Sequence, residues 1–242
     1  MCGIIGCVGR ADTLDTLVHG LSKLEYRGYD SAGVALSEAG AGGDEGSLDV
    51  VKCAGKVDEL RSALAGRETS GPVGVGHTRW STHGPPTDAN AHPHVDCTGR
   101  VAAVHNGIIE NYQALRDELS TGGHDFLYDT HTEVIPHLAE AGLRDGLDPE
   151  TAVREAVSRL EGSYALAAVV AGEETVVVAR NDSPLVLGVD DDATYLASDV
   201  PAFRDFTDRV VYLADGEFAR LDAEGWTVTN TAGEVLDKPV ET

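Results

Sequence analysis

The chain opens Met1-Cys2-Gly3-Ile4-Ile5-Gly6-Cys7-Val8, and the rest is best read outward from this stretch. Ile4 to Val8 is an apolar run of strand length that begins almost at the terminus, so a buried strand is expected to carry the first side chains of the protein. Cysteine is small enough that the initiator methionine is normally removed before it, which leaves Cys2 with both a thiol and a free α-amine. An α-amine of ordinary pKa, about 7.7–8.0, can take the thiol proton directly or through a water. Nucleophile and base then arrive in one residue. Gly3 and Gly6 would let a neighbouring backbone approach closely. Alone, a cysteine at position 2 carries little weight, and its meaning depends on the residues elsewhere in the chain.

Beyond this strand, Leu14, Leu17, Val18, Leu21 and Leu24 repeat at three and four, predicting a helix with one buried face. Ser31 to Leu36 reads as a strand, and Ala39 to Ser47 as a glycine- and acid-rich surface loop. Strand cores at Val73–Val75 and Val101–Val104 bracket a long polar stretch, Thr78 to Thr98, of a length that is usually functional. Helical spacing marks Ile108–Leu119 and Thr132–Leu143, and Pro149–Leu160 starts with proline where a helix tolerates it. Short strands follow at Tyr164–Val170, Thr175–Ala179, Leu185–Val189, Thr194–Ala197, Arg209–Leu213 and Glu217–Leu221, with a helical piece near Val200–Arg204. The inventory predicts an α+β fold whose sheets carry helices on their outer faces. No repeat or linker divides residues 1–242, so one domain is expected.

With 242 residues, 42% of them hydrophobic, the chain can bury a sizeable core. No apolar run reaches the roughly 18 residues of a membrane span, and no signal-peptide pattern precedes Cys2; a cytoplasmic location is expected. The 41 acidic residues outweigh 18 basic ones, giving a formal charge of −23. Such a field repels nucleic acid and anionic membranes, so neither is an expected partner. The acids are scattered, with Asp190-Asp191-Asp192 the longest run, and the lysines are only Lys23, Lys52, Lys56 and Lys238. Adaptation to high salt would explain such a surface; an ordinary acidic cytosolic protein is the alternative. Cys2, Cys7, Cys53 and Cys97 make no disulfide framework in a chain this long. None pairs as Cys-x-x-Cys, which argues against structural zinc, and the last three read as ordinary thiols.

Four further segments give Cys2 its context: Glu25-Tyr26-Arg27-Gly28-Tyr29-Asp30-Ser31-Ala32-Gly33, His77-Thr78-Arg79-Trp80-Ser81-Thr82-His83-Gly84, Asn90-Ala91-His92-Pro93-His94, and Val104-His105-Asn106-Gly107-Ile108-Ile109-Glu110-Asn111. With the Cys-Gly-Ile start, they closely resemble class II glutamine amidotransferases, whose nucleophile is an N-terminal cysteine. Within that class they look like the glutamine–fructose-6-phosphate aminotransferases (isomerizing). The resemblance runs from Cys2 to about Leu221.

The resemblance implies a four-layer αββα sandwich of the N-terminal nucleophile hydrolase type, with no cofactor and no metal. It implies that Cys2 attacks the side-chain amide of L-glutamine, that Asn106 and the Gly107 N–H form the oxyanion hole, and that Arg79 binds the substrate α-carboxylate. Thr82 and His83 fall in the loop that closes over the substrate, Trp80 helps gate ammonia, and Arg27 supports the nucleophile. Each residue also has a plainer reading. Asn106-Gly107 is a type I′ hairpin signal, Arg79 suits a surface ion pair as well as a carboxylate, and Trp80 suits a core. His77, His92 and His94 lack zinc spacing and read as structural hydrogen-bonders.

One departure stands out in Tyr128-Asp129-Thr130-His131-Thr132-Glu133. The family has an aspartate at the position of His131, where it binds the glutamine α-ammonium. Thr130-x-x-Glu133 reads as a capping box that places His131 in the first turn of a helix, and Asp129 is the candidate source of the missing negative charge. The resemblance implies a partner in the sugar-isomerase domain of the full enzyme, expected to lie outside these 242 residues, and allows a homodimer. The rival readings are a glutaminase serving another acceptor, such as phosphoribosyl pyrophosphate, and a partner subunit of the same fold that has lost catalysis.

Overall fold

Every residue of β1 (Gly3–Val8) is buried, which is why its sequence is an unbroken apolar run instead of an alternation of apolar and polar residues. The structure, a computed structural model, describes residues 2–38, 46–81 and 84–242. Thr82, His83 and most of the loop expected at Ala39–Ser47 lie outside the described residues. After β1 come α1 (Thr13–Lys23), β2 (Ser31–Glu38), β3 (Ser47–Ala54), α2 (Val57–Leu64), β4 (Val73–Arg79), β5 (His94–Val95) and β6 (Val101–Ile109). Then follow α3 (Tyr112–Thr121), α4 (Val134–Arg144), α5 (Pro149–Ser158), β7 (Gly162–Val170), β8 (Val176–Asn181), β9 (Val186–Val189) and β10 (Thr194–Ala197). β11 (Val210–Tyr212), β12 (Glu217–Asp222), β13 (Gly225–Thr229) and β14 (Val235–Leu236) complete the chain.

The strands form two seven-stranded sheets, ordered β11-β9-β10-β1-β4-β2-β3 and β14-β13-β12-β8-β7-β6-β5. Side chains alternate across each strand, and β1 shows the result. Ile4 and Val8 enter the core between the sheets with Val75, Val104, Ala167 and Leu187. Ile5 and Cys7 face the other way, onto Leu17 and Leu21 of α1 and Leu60 of α2. The second sheet is covered in turn by Leu115 of α3, Ile135 and Leu138 of α4 and Val153 of α5, packed on Leu166 and Val177. These three cores define four layers, helix–sheet–sheet–helix, as expected from the sequence. Leu17 is fully buried, and its truncation to alanine would cost about 2–5 kcal/mol.

Two expectations need correction. The helix read at Ile108–Leu119 begins only at Tyr112, because Asn106 to Ile109 continue β6 and pair with Gly162–Ala165 of β7. For the same reason Asn106-Gly107 is not a hairpin turn. Strands β3, β5, β13 and β14 and helix α2 add to the inventory read from the sequence. No helix among the described residues is long and apolar enough to cross a membrane.

Candidate active site

β1 lies beside β4 with Gly3 opposite Thr78, so the chain emerges with Cys2 next to Arg79 and Trp80, where β4 ends. The Trp80 backbone N–H donates to the Cys2 sulfur at 3.3 Å, and the thiol faces the Trp80 carbonyl at 3.6 Å. Burial pushes the Cys2 thiol above its ordinary pKa, outweighing the Trp80 N–H and the nearby guanidinium groups of Arg79 and Arg27, which favour the thiolate. The sulfur is therefore a protonated thiol at neutral pH, and a base must take its proton as it attacks.

The Cys2 carbonyl is held from two sides, by Arg27 Nε at 3.0 Å and by Asn106 Nδ2 at 2.9 Å. Arg27 sits in a 3₁₀ turn, Glu25–Arg27, and is fixed on its far side by Asp199 at 3.5 Å. Gly28 follows, and a Cβ there would lie 2.6 Å from Arg79 C and Trp80 N. Any side chain at this position would push the Trp80 N–H off the sulfur.

Asn106 projects from β6 into the same network. Its Oδ1 accepts from His77 Nε2 at 3.0 Å, and its Nδ2 donates to Ser198 Oγ at 2.9 Å as well as to Cys2. Ser198 Oγ also accepts the Ile4 N–H at 2.8 Å, tying β1 to the segment after β10. Burial pushes His77 down to about 3, so its ring is neutral. The adjacent Gly107 has φ +129°, and a Cβ there would fall 2.1 Å from Ser163 O. Only glycine fits this step of the strand.

Cys2, Arg79, Trp80, His92, His105, Gly107, Thr130, His131 and Thr132 line one cleft. The Arg79 guanidinium is buried and donates to the carbonyls of Asn90 at 3.0 Å and Gly84 at 3.2 Å, which fixes a permanent positive charge beside the nucleophile. Burial pushes His105 down to about 3 and His92 well below its ordinary value, so these walls are neutral. Trp80 is 44% exposed and meets the Tyr29 ring edge-on at 5.4 Å; it belongs to the rim and not to the core.

His131 lines the cleft from a 3₁₀ turn, His131–Glu133, that leads into α4. It thus lies in the first helical turn, but the capping box does not form. Thr130 Oγ1 is taken by His94 Nε2 at 2.8 Å, and the Glu133 carboxylate accepts the N–H groups of Leu127 and Tyr128 at 2.6 and 3.0 Å. Asp129 is exposed, its N–H bound to Asn90 Oδ1 at 2.9 Å, and it is not among the residues lining the cleft. No carboxylate lines the cleft among the described residues.

Sequence reasoning missed two supporting residues. Asp30 holds the turn after β4, accepting from Ser81 N at 2.8 Å and donating its own N–H to Arg79 O at 2.9 Å. It lies inside the Glu25–Gly33 motif and was within reach. Ser198 carries no local signal, because only the pairing of Ile5 with Ala197 brings it to β1.

Two helix-covered antiparallel sheets, with a cysteine thiol at the start of a central strand and an Asn-Gly pair facing it, define the N-terminal nucleophile architecture. The sequence profile of the glutamine amidotransferase domain family matches residues 77–205, and the chain belongs to that family. It is 56% identical over 236 residues to the glutamine–fructose-6-phosphate aminotransferase (isomerizing) of Halobacterium salinarum, covering 97% of this chain and 37% of the relative. It is 50% identical over 242 residues to the same-named protein of Thermococcus kodakarensis, covering 99% and 39%. The chain thus spans about two fifths of the length of these curated relatives. Among solved structures, the glutamine phosphoribosylpyrophosphate amidotransferase of B. subtilis superposes with a TM-score of 0.77 at 26% identity, over 97% of this chain and 50% of the other.

Proposed function

We propose that residues 1–242 form a glutaminase domain that hydrolyses L-glutamine to glutamate and ammonia through a thioester on Cys2. The observation that carries this reading is the Cys2 thiol, half-buried in the cleft it shares with Arg79 and hydrogen-bonded by the Trp80 backbone. The α-amine, freed by loss of Met1, takes the thiol proton as sulfur attacks the amide carbon, then delivers it to the leaving ammonia. Water cleaves the thioester by the reverse proton path. Asn106 Nδ2 and the Gly107 N–H stabilise the oxyanion, Arg79 pairs with the substrate α-carboxylate, and Arg27 positions the Cys2 peptide. His131 faces the α-amine end, Trp80 serves the ammonia exit, and Thr82 and His83 the closing loop.

The acceptor we propose is fructose 6-phosphate, aminated in a sugar-isomerase domain corresponding to the unmatched part of the relatives. Their names support this branch at 50–56% identity, against 26% for the phosphoribosylpyrophosphate enzyme. Glutamate release from glutamine by the purified chain, with Cys2 labelled by a glutamine-analogue electrophile, tests the reading. A folded chain that neither releases glutamate nor takes the label would leave the fold without the activity.

A further inference from the structure

On the outer side of the second sheet, away from the catalytic cleft, Cys97, His124 and His137 converge. Cys97 lies in the turn between β5 and β6, His124 follows α3, and His137 is on α4. Among the described residues these are the group of potential ligands whose donor atoms all lie within 4.8 Å of one another. We propose that they form a zinc-binding site that staples the β5–β6 turn to α3 and α4.

Two of the three donor spacings match those around a tetrahedral ion. Bonds of about 2.05 Å to nitrogen and 2.3 Å to sulfur place two nitrogens about 3.3 Å apart and a sulfur about 3.6 Å from a nitrogen. His124 Nδ1 and His137 Nδ1 are 3.1 Å apart, and Cys97 Sγ is 3.7 Å from His124 Nδ1.

The remaining ring nitrogens face carboxylates. His124 Nε2 faces Glu140 Oε2 at 3.7 Å, and His137 Nε2 faces Glu133 Oε1 at 3.6 Å. All four residues are buried, and both Nε2 atoms and Glu140 Oε2 lack a hydrogen-bond partner in this arrangement. With its proton on Nε2, each ring offers Nδ1 as a ligand atom, and these two nitrogens and the Cys97 sulfur lie together. A carboxylate behind each ligating imidazole is the usual outer support of a metal-bound histidine. Thiolate with two imidazoles selects a borderline-soft ion over calcium or magnesium, and the exposed Cys97 leaves the fourth position to water. Spacings of 27 and 13 residues match no zinc signature, so the sequence offered no hint of it.

The test uses the untagged chain carrying Cys2→Ala, so that the active-site thiol does not compete. Zinc affinity is measured against a chromophoric chelator, and cobalt(II) replaces zinc for spectroscopy. One zinc per chain is expected, with a thiolate-to-cobalt charge-transfer band that Cys97→Ser abolishes. Cys97→Ser, at an exposed position, should weaken zinc binding at least tenfold, and Glu140→Gln by about 10–100-fold. Zinc should raise the melting temperature of the parent and not of Cys97→Ser. Equal affinity in parent and Cys97→Ser, or cobalt bound without the thiolate band, would overturn the proposal.

Discussion

The side-chain amide of Asn106 donates to the backbone carbonyl of Cys2 from 2.9 Å. The residue proposed to stabilise the oxyanion therefore also sets the peptide plane of the nucleophile. Its second N–H goes to Ser198, so a developing oxyanion must displace one of the two bonds. Asn106→Ala should lower kcat on the order of 10²–10³-fold. It should also lower the melting temperature, because buried partners lose their bonds at about 1–3 kcal/mol. Ser198→Ala, which leaves the Cys2 bond intact, should cost kcat less. Equal kcat in Asn106→Ala and the unaltered chain, measured on the folded fraction, would remove Asn106 from the chemistry.

Burial raises the Cys2 thiol pKa, so its attack needs a base, and the base proposed is its own α-amine. Intact mass of active protein should show Met1 removed. The amine accepts a proton only when neutral, so kcat/KM should climb as pH rises through about 7.7–8.0 and then level. Cys2→Ala should abolish glutamate release. Full activity in a preparation that retains Met1 would point to another base.

Arg79 presents its charge to substrate and transition state alike. Arg79→Ala should raise KM for glutamine steeply while leaving kcat comparatively unchanged. An unchanged KM would return Arg79 to its structural hydrogen bonds with the carbonyls of Gly84 and Asn90.

His131 occupies the cleft wall, and the cleft has a fixed cation in Arg79 but no lining carboxylate among the described residues. An aspartate at this position would attract the glutamine ammonium, which a neutral imidazole does not. His131→Asp should therefore lower KM for glutamine while leaving kcat comparatively unchanged. An unchanged KM in His131→Asp would detach position 131 from the amine.

The charge of −23 should make stability salt-dependent. Asp190, Asp191, Asp192, Asp222 and Glu224 line a single hollow with Arg209 as the cation among its lining residues. Shortening the screening length from about 10 Å to 3 Å between 0.1 and 1 M salt relieves such repulsion. The melting temperature should rise by at least about 4 °C, equivalent to roughly 1–2 kcal/mol. A flat or falling value in KCl would rule out adaptation to high salt.

How legible all this was depended on whether local pattern and tertiary partner agreed. α1 was read almost to the residue because Leu17 and Leu21 face one core. Ile108 and Ile109 fitted a helical spacing, yet β7 claimed them. Strand β3 hides its alternation behind Asp49 and Lys52, and α2 shows apolar spacing only at Val57, Leu60 and Leu64, too few positions for a periodicity to emerge. The capping box failed because His94 claimed Thr130 and two backbone amides claimed Glu133. The long motifs pointed to Cys2, Arg79 and Gly107, which line one cleft, and to Asn106 beside them. Ser198 entered only through register.

The position of β1, between β4 and β10, ties the nucleophile to the order of synthesis. One neighbour is complete by Arg79, but the other is made only at Thr194–Ala197, and Ser198 must follow before Ile4 and Asn106 find their shared acceptor. Contacts of such sequence separation form late. A nascent chain shorter than about two hundred residues therefore carries its thiol on an unpaired strand edge, and the site can become competent only after Ser198 has emerged.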